Sequence, residues 1–245
     1  MADFVVRVGC FTAQGLRPNN EDRYVVDPQK RFFLVADGMG GQDLGERASG
    51  LAAEIIPRAV QARLAEHHDA SQAVVQALAE ANQAIISAGQ QQASPRRMGT
   101  TAVLALQQED RVYVASLGDS RAYLVRSGRV EQLTMDHSLA DALERDGTLT
   151  AEQARNSPLK NYLYKFLGCA EMPEGADVRP FTPEAGDRLL LGSDGLTNHI
   201  TDDDLIRGAQ EFVDPQAWAE HLVQLALDRG SRDNVTCVIV AFDRE

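Results

Sequence analysis

Positive charge is scarce in this chain. Across 245 residues, 24 lysines and arginines stand against 36 aspartates and glutamates, for a net charge of −12. So anionic a surface repels polyphosphates and acidic headgroups, which argues against a nucleic-acid binder or a protein of anionic membranes. Cysteine is scarce too. Cys10, Cys169 and Cys237 are odd in number and far apart. They make neither a zinc pattern nor a disulfide framework, and a reducing cytoplasm is the simplest setting. Long apolar runs are missing: Cys237–Phe242 is typical of the longest, and a membrane span needs ~20 residues. The start, Met1-Ala2-Asp3-Phe4, has no basic stretch followed by an apolar one, so no signal peptide is expected. No repeat, low-complexity tract or composition break divides the chain.

What is present is ordinary globular material, 44% apolar and 24% charged. A chain this long buries roughly 70% of its unfolded surface and needs no covalent staples. Phe4–Thr12, Tyr24–Asp27 and Arg31–Ala36 read as strands, rich in Val and Phe. Two helices follow. Ala48, Leu51, Ala52, Ile55, Ile56 and Ala59 recur at helical spacing, and so do Ala73, Val74, Ala77, Leu78, Ala81 and Ile85. From Thr101 to Leu133 four short strands alternate with turns at 108–110, 118–120 and 127–128. Turns this short predict antiparallel pairing across each of them. Leu139–Asp177 is irregular, with one short helix expected. Asp187–Gly192 and Val235–Phe242 read as strands around helices at Asp202–Glu211 and Pro215–Arg229. The pattern predicts one α+β domain over residues 1–245, with mainly antiparallel sheets and helices packed outside them.

The chemistry lies in where certain aspartates fall. Asp37, Asp119 and Asp194 close strands, whereas Asp22 and Asp233 precede strands. In antiparallel sheets the end of one strand lies beside the start of its neighbour, so these five acids can share one rim. Carboxylates gathered there raise one another's pKa unless cations sit among them. The donors are all oxygen, which suits Mg²⁺ or Mn²⁺ better than Zn²⁺. A single aspartate of this kind is an ordinary turn residue; five in such settings argue for a site. Asp37-Gly38-Met39-Gly40-Gly41 also lets backbone approach a ligand closely. It is no dinucleotide fingerprint, because Asp43 stands where the last glycine of that pattern belongs. Arg17, five residues before Asp22, offers a planar fork that matches phosphate oxygens.

In order, Arg17 with Asn20-Glu21-Asp22, Val35-Ala36-Asp37-Gly38-Met39-Gly40-Gly41, Gly99-Thr100-Thr101, Gly118-Asp119-Ser120-Arg121, Asp136-His137-Ser138, Ser193-Asp194-Gly195-Leu196 and Arg232-Asp233-Asn234 resemble the metal-dependent protein phosphatases. These are the type 2C serine/threonine phosphatases, in their compact bacterial form. The resemblance runs from about Val8 to Phe242. It implies a central sandwich of two antiparallel β-sheets flanked by helix pairs, and a flap at about 139–177 bordering the cleft. It further implies hydrolysis of phosphoserine and phosphothreonine in proteins by a water bridging two Mn²⁺ or Mg²⁺ ions, with no protein nucleophile.

Carried onto this sequence, the resemblance makes Asp37 the bridge between two core metals and the Gly38 carbonyl a ligand. Asp194 and Asp233 complete the pair, and Asp22 lies beside them. Asp119, with Asp194, holds a third, weaker ion, to which Asn161 adds a polar ligand. Arg17 binds the substrate phosphate, and Arg17, Asp37 and Asp119 form the catalytic set. Two positions depart from the pattern. Met39 stands where animal members carry a histidine, and Gln42 where many bacterial ones do. Ser193 has no histidine base in a partner motif, and His137 and His199 read as structural hydrogen-bonders. The expected partners are phosphorylated proteins and an opposing kinase, with no nucleic acid or membrane, and the protein is expected to be a cytoplasmic monomer. Three alternatives stay open: a phosphatase of an anti-sigma-factor antagonist, a pseudophosphatase that binds phosphopeptides without turnover, and a structural cation-binding protein, which would not need Arg17.

Overall fold

A computed structural model describes residues 4–41, 43–91, 98–171 and 175–244. Its strands are β1 (Phe4–Ala13), β2 (Asp22–Val26), β3 (Phe32–Met39), β4 (Gly99–Thr100), β5 (Ala102–Gln108), β6 (Arg111–Leu117), β7 (Arg121–Arg126), β8 (Arg129–Gln132), β9 (Asp177–Phe181), β10 (Arg188–Gly192) and β11 (Val235–Arg244). Its helices are α1 (Asp43–Ala65), α2 (Ala70–Gln90), α3 (Leu139–Arg145), α4 (Ala151–Asn156), α5 (Asp194–Thr197), α6 (Asp202–Glu211) and α7 (Pro215–Asp228). One sheet runs β1-β11-β10-β7-β8 and the other β2-β3-β5-β6-β9, with β4 against β3. Every pairing is antiparallel.

Three apolar layers hold these elements. Between the sheets, alternate residues of facing strands interdigitate, among them Phe33, Val35, Val103, Leu189, Val238 and Phe242. The other face of the second sheet meets α1 and α2, through Leu34 and Leu104 against Ala52, Ile56, Ala77 and Leu78. The other face of the first sheet meets α6 and α7, where Trp218 and Leu222 pack on Leu190 and Ile239. The alternation of a two-sided strand thus supplies both the inter-sheet core and a helix-facing core. The order is helix, sheet, sheet, helix, as expected. Local signals fix the helix starts: the Asp69 side chain accepts from the amides of Ser71 and Gln72 ahead of α2, and a Thr201–Asp204 capping box opens α6.

The structure corrects several sequence expectations. The turn at Gly118–Ser120 does not pair its flanking strands. β6 belongs to one sheet and β7 to the other, so the chain crosses the sandwich there. Gly118 makes the crossing possible. Its φ is +105°, and an added Cβ would lie 2.6 Å from the Thr101 methyl, so no other residue fits without strain. Asp37 lies within β3 instead of closing it, because Gly38 and Met39 go on to pair with β4. Asp22 is the first residue of β2, opposite Asp37, and Asp194 opens the short α5. The irregular stretch holds two helices, α3 and α4, and a 3-10 turn at Pro158–Asn161. No helix among the described residues is long and apolar enough to cross a membrane.

Candidate active site

A cavity of about 420 Å³ opens at one end of the sandwich, lined by Asp37, Asp119, Asp194, Asp233 and Arg17 among others. The four acids come from four places: β3, the sheet-crossing turn, the start of α5, and the turn before β11. Gly38 and Met39 line it from β3, Glu21 and Thr101 from the residues just before β2 and β5, and Asn161, Leu163 and Phe166 from the 139–177 segment. Gln42 lies outside the described residues.

Asp37 is held by its backbone. Its amide donates to Thr101 Oγ1 at 3.0 Å, and its carbonyl accepts from the Thr101 amide at 2.8 Å and from Thr100 Oγ1 at 2.9 Å. Thr101 Oγ1 also bonds Ser120 Oγ at 2.7 Å, which ties Asp37 to the turn carrying Asp119. Gly38 needs to be glycine because α1 comes so close: a Cβ there would sit 2.2 Å from the Gly45 carbonyl oxygen.

Asp22 sits apart from its four companions. It is 2% exposed and lies beneath the floor instead of lining the cavity. Its Oδ2 accepts from Thr236 Oγ1 at 2.6 Å and Ser193 Oγ at 2.8 Å. Its Oδ1 is buried with no partner among the described residues. Ser193 is fully buried and its hydroxyl donates to Asp22.

Burial and mutual repulsion dominate the electrostatics. Desolvation, followed by the charges of Asp22, Asp194, Asp119 and Asp233, holds the Asp37 carboxyl well above the carboxylate range. Burial raises Asp22 to about 7 against the two hydroxyl bonds that oppose it, and it raises Asp119 to about 8 with help from Asp194 and Asp136. Asp194 is raised by burial and by Asp233, with relief from a hydrogen bond to Asp37. Arg17, 57% exposed at its side chain, donates to Asp233 Oδ2 at 2.5 Å.

Among the described residues no three His, Cys, Asp or Glu side chains close into a metal cage; the acids act on each other across the cavity. Their chemistry still selects the group that fits. The donors are all oxygen, their anionic forms are disfavoured by one another, and Asp22 Oδ1 is orphaned beneath them. Hard divalent cations answer all three features.

Sequence reasoning assigned no role to Glu21, Thr101 or Asn234, which also line the cavity. Asn234 Oδ1 accepts from the Glu21 amide at 2.8 Å, and its Nδ2 donates to the Gln14 and Asn19 carbonyls. It thereby pins the loop that carries Arg17. Its place beside Asp233 was the available signal.

The protein phosphatase 2C family model matches residues 6–146 and 171–235 of the chain. Protein phosphatase PhpP of Streptococcus pneumoniae is 35% identical over 234 residues, covering 94% of each chain. The crystal structure of the serine/threonine phosphatase PstP/Ppp of Mycobacterium tuberculosis aligns with a TM-score of 0.85 at 31% identity, over 97% of this chain and 99% of that one. A structure of the PstP catalytic domain in complex with two manganese ions aligns with a TM-score of 0.83 at 31% identity, over 98% and 99%.

Proposed function

The chain belongs to the protein phosphatase 2C family, and from that premise we propose that it hydrolyses phosphoserine and phosphothreonine in proteins at the cavity ringed by Asp37, Asp119, Asp194 and Asp233. The observation that carries this reading is the meeting of four aspartates from four separate elements with one arginine in a single pocket. The family is metal-dependent. Asp37, the Gly38 carbonyl, Asp194 and Asp233 would hold the two core ions, Mn²⁺ or Mg²⁺, with Asp22 supporting them from below. Asp119, with Asp194 and Asn161, would hold a weaker third. Bound there, divalent cations supply Lewis acidity and make water nucleophilic at neutral pH.

The protein's own contribution is positioning. The three backbone bonds on Asp37 hold its carboxylate at the centre of the acids. Arg17, mostly exposed at the rim and anchored to Asp233, turns its other guanidinium nitrogens to the phosphoryl oxygens. Met39 gives the cavity no proton donor where animal relatives have histidine. Asn161, Leu163 and Phe166 bring the 139–177 segment to the edge of the cavity, so that segment shapes the same site as the sandwich. A protein phosphatase needs a kinase to make its substrate, so an opposing serine/threonine kinase is the implied partner. Free cysteines favour a cytoplasmic setting, and we read the enzyme as a monomer. The intact set of acids favours turnover over a pseudophosphatase.

The test is release of phosphate from a phosphothreonine peptide. Activity is expected with Mn²⁺ or Mg²⁺, abolished by excess chelator and restored by added metal. Full turnover in excess chelator would sink the reading.

Arg17 gives a second test. A charge-assisted bond to phosphate contributes about 1.5–3 kcal/mol, so Arg17→Ala should lower kcat/KM by roughly 10- to 100-fold. Arg17→Lys should recover only part of it, because an ammonium cannot make the two-pronged contact. The melting temperature should stay put, since the side chain is mostly exposed. Unchanged kinetics for Arg17→Ala would make Arg17 a solvated surface residue.

A further inference from the structure

His137 lies outside the cavity, 2% exposed, yet it is bonded on both sides to the parts that form it. Its amide donates to the Gly118 carbonyl at 3.0 Å, and its ring Nδ1 accepts from the Gly118 amide at 3.1 Å. Both polar backbone atoms of the residue before Asp119 are therefore satisfied by one residue 19 positions away. On the other side, the His137 carbonyl accepts from the Tyr164 amide at 3.0 Å, and the ring stacks edge-on against Tyr164 at 5.8 Å. A short ladder continues this contact: the Leu139 amide donates to the Tyr162 carbonyl, and Ser138 bridges to Leu163. Leu163 itself lines the cavity.

The crossing turn needs such a support. Gly118 has left β6 and its sheet, so no strand neighbour is available to its amide, and a buried amide without a partner is costly. Glycine at φ +105° is also the residue with the most freedom to move once released. With Nδ1 accepting, the neutral ring carries its hydrogen on Nε2, which has no hydrogen-bond partner among the described residues and faces the Asp177 carboxylate at 4.0 Å. Burial and the nearby Lys165 keep the ring neutral, lowering its pKa to about 4, so the acceptor persists at neutral pH.

We propose that His137 is a positioning residue, whose Nδ1 fixes the Gly118–Asp119 turn and registers the Asp119 carboxylate against the Tyr162–Tyr164 stretch of the flap. This rests on the phosphatase reading for its effect on turnover, but the clamp itself is readable without turnover. Outer supports of this kind typically contribute 10- to 100-fold to metal affinity or activity.

Three variants separate the clamp from mere packing. In His137→Asn, Oδ1 falls near the Nδ1 position, so the acceptor survives while ring volume is lost. In His137→Gln the acceptor moves outward to the Nε2 position. In His137→Leu the apolar volume is nearly kept and the acceptor is gone. The readouts are hydrogen exchange at the Gly118 amide, the melting temperature, and kcat and KM on a phosphopeptide with saturating Mn²⁺. Positioning predicts slow Gly118 exchange in the wild type and His137→Asn, and fast exchange in the other two. It predicts kcat lowered roughly 10- to 100-fold in His137→Leu and His137→Gln, with KM little changed and His137→Asn the most active of the three. A packing role predicts the opposite ranking, with His137→Leu best in both melting temperature and kcat. That ranking, or fast Gly118 exchange in the wild type, would overturn the proposal. Wild-type protein with a protected Gly118 amide and no turnover would instead overturn the phosphatase reading and leave the clamp standing.

Discussion

Asp37→Asn is expected to lose turnover by a factor on the order of 10³ or more, the scale of removing a charge on which the reaction centre depends. Asp37 is the acid on which the others converge: Asp22, Asp194, Asp119 and Asp233 all push on its charge. The substitution keeps the shape of the side chain and leaves all three backbone bonds to Thr100 and Thr101 in place. It removes the charge and one anionic donor. Because the defect lies in chemistry and not in the core, circular dichroism should remain at the wild-type signal. Measured with saturating Mn²⁺, a near-normal kcat would remove Asp37 from the centre of the site. The matching change at Asp233, which carries the contact to Arg17, should lose comparably and also raise KM.

That experiment targets a residue the sequence already marked, and the reason is local. Asp37 sits in a run of strand followed by glycines, Asp119 and Asp194 sit beside glycines, and Asp233 sits beside an asparagine, all residues common where strands end, so local pattern and function coincide. The same locality misled at 118–120. A three-residue turn between two apolar strands reads as a hairpin, because nothing in those residues reports that Leu117 and Ala122 pack in different layers. The strand β9 escaped for a related reason. It is short, carries Pro180 and is exposed along most of its length, as an edge strand tolerates. Asp22 reads from spacing as one of five rim acids, whereas its depth is set by Ser193 and Thr236, 171 and 214 residues away. The roles of Thr101 and His137 consist of bonds to backbone atoms 64 and 19 residues distant. Side-chain identity advertises a carboxylate, whereas an acceptor for someone else's amide has no signature until the chain is folded.

The largest effect on stability should come from metal removal, and its dependence on pH is fixed in sign. Asp22, Asp37, Asp119 and Asp194 all have folded-state pKa values raised above the usual carboxylate value, to about 7 for Asp22 and about 8 for Asp119. Between pH ~4 and ~8 these four groups bind more protons in the folded chain than in the unfolded one, which outweighs the opposite contribution of the single His137 ring, so stability falls as pH rises through that window. A carboxyl moved from about 4 to about 7 loses roughly 4 kcal/mol on ionising in the folded state, and the four groups share one field, so their losses do not add independently. In chelator, the melting temperature should drop by on the order of 10 °C between pH 5 and pH 8, at ~2–4 °C per kcal/mol for a chain of this size. Mn²⁺ should flatten the slope. It binds the deprotonated acids, so its affinity grows with pH, and at a hundredfold excess over its dissociation constant it contributes about 2.7 kcal/mol.

Asp37→Asn sharpens the test. With one charge gone it should melt higher than wild type in chelator at pH 8, and it should gain less from Mn²⁺. Such a variant would be more stable and less active for one reason, the missing charge, which is the trade expected where charges are gathered for chemistry. A melting temperature that is flat or rising from pH 5 to pH 8 in chelator would mean that the acids are not held in mutual repulsion. No gain from Mn²⁺ at pH 7.5 would mean that the cavity is not where the cations bind.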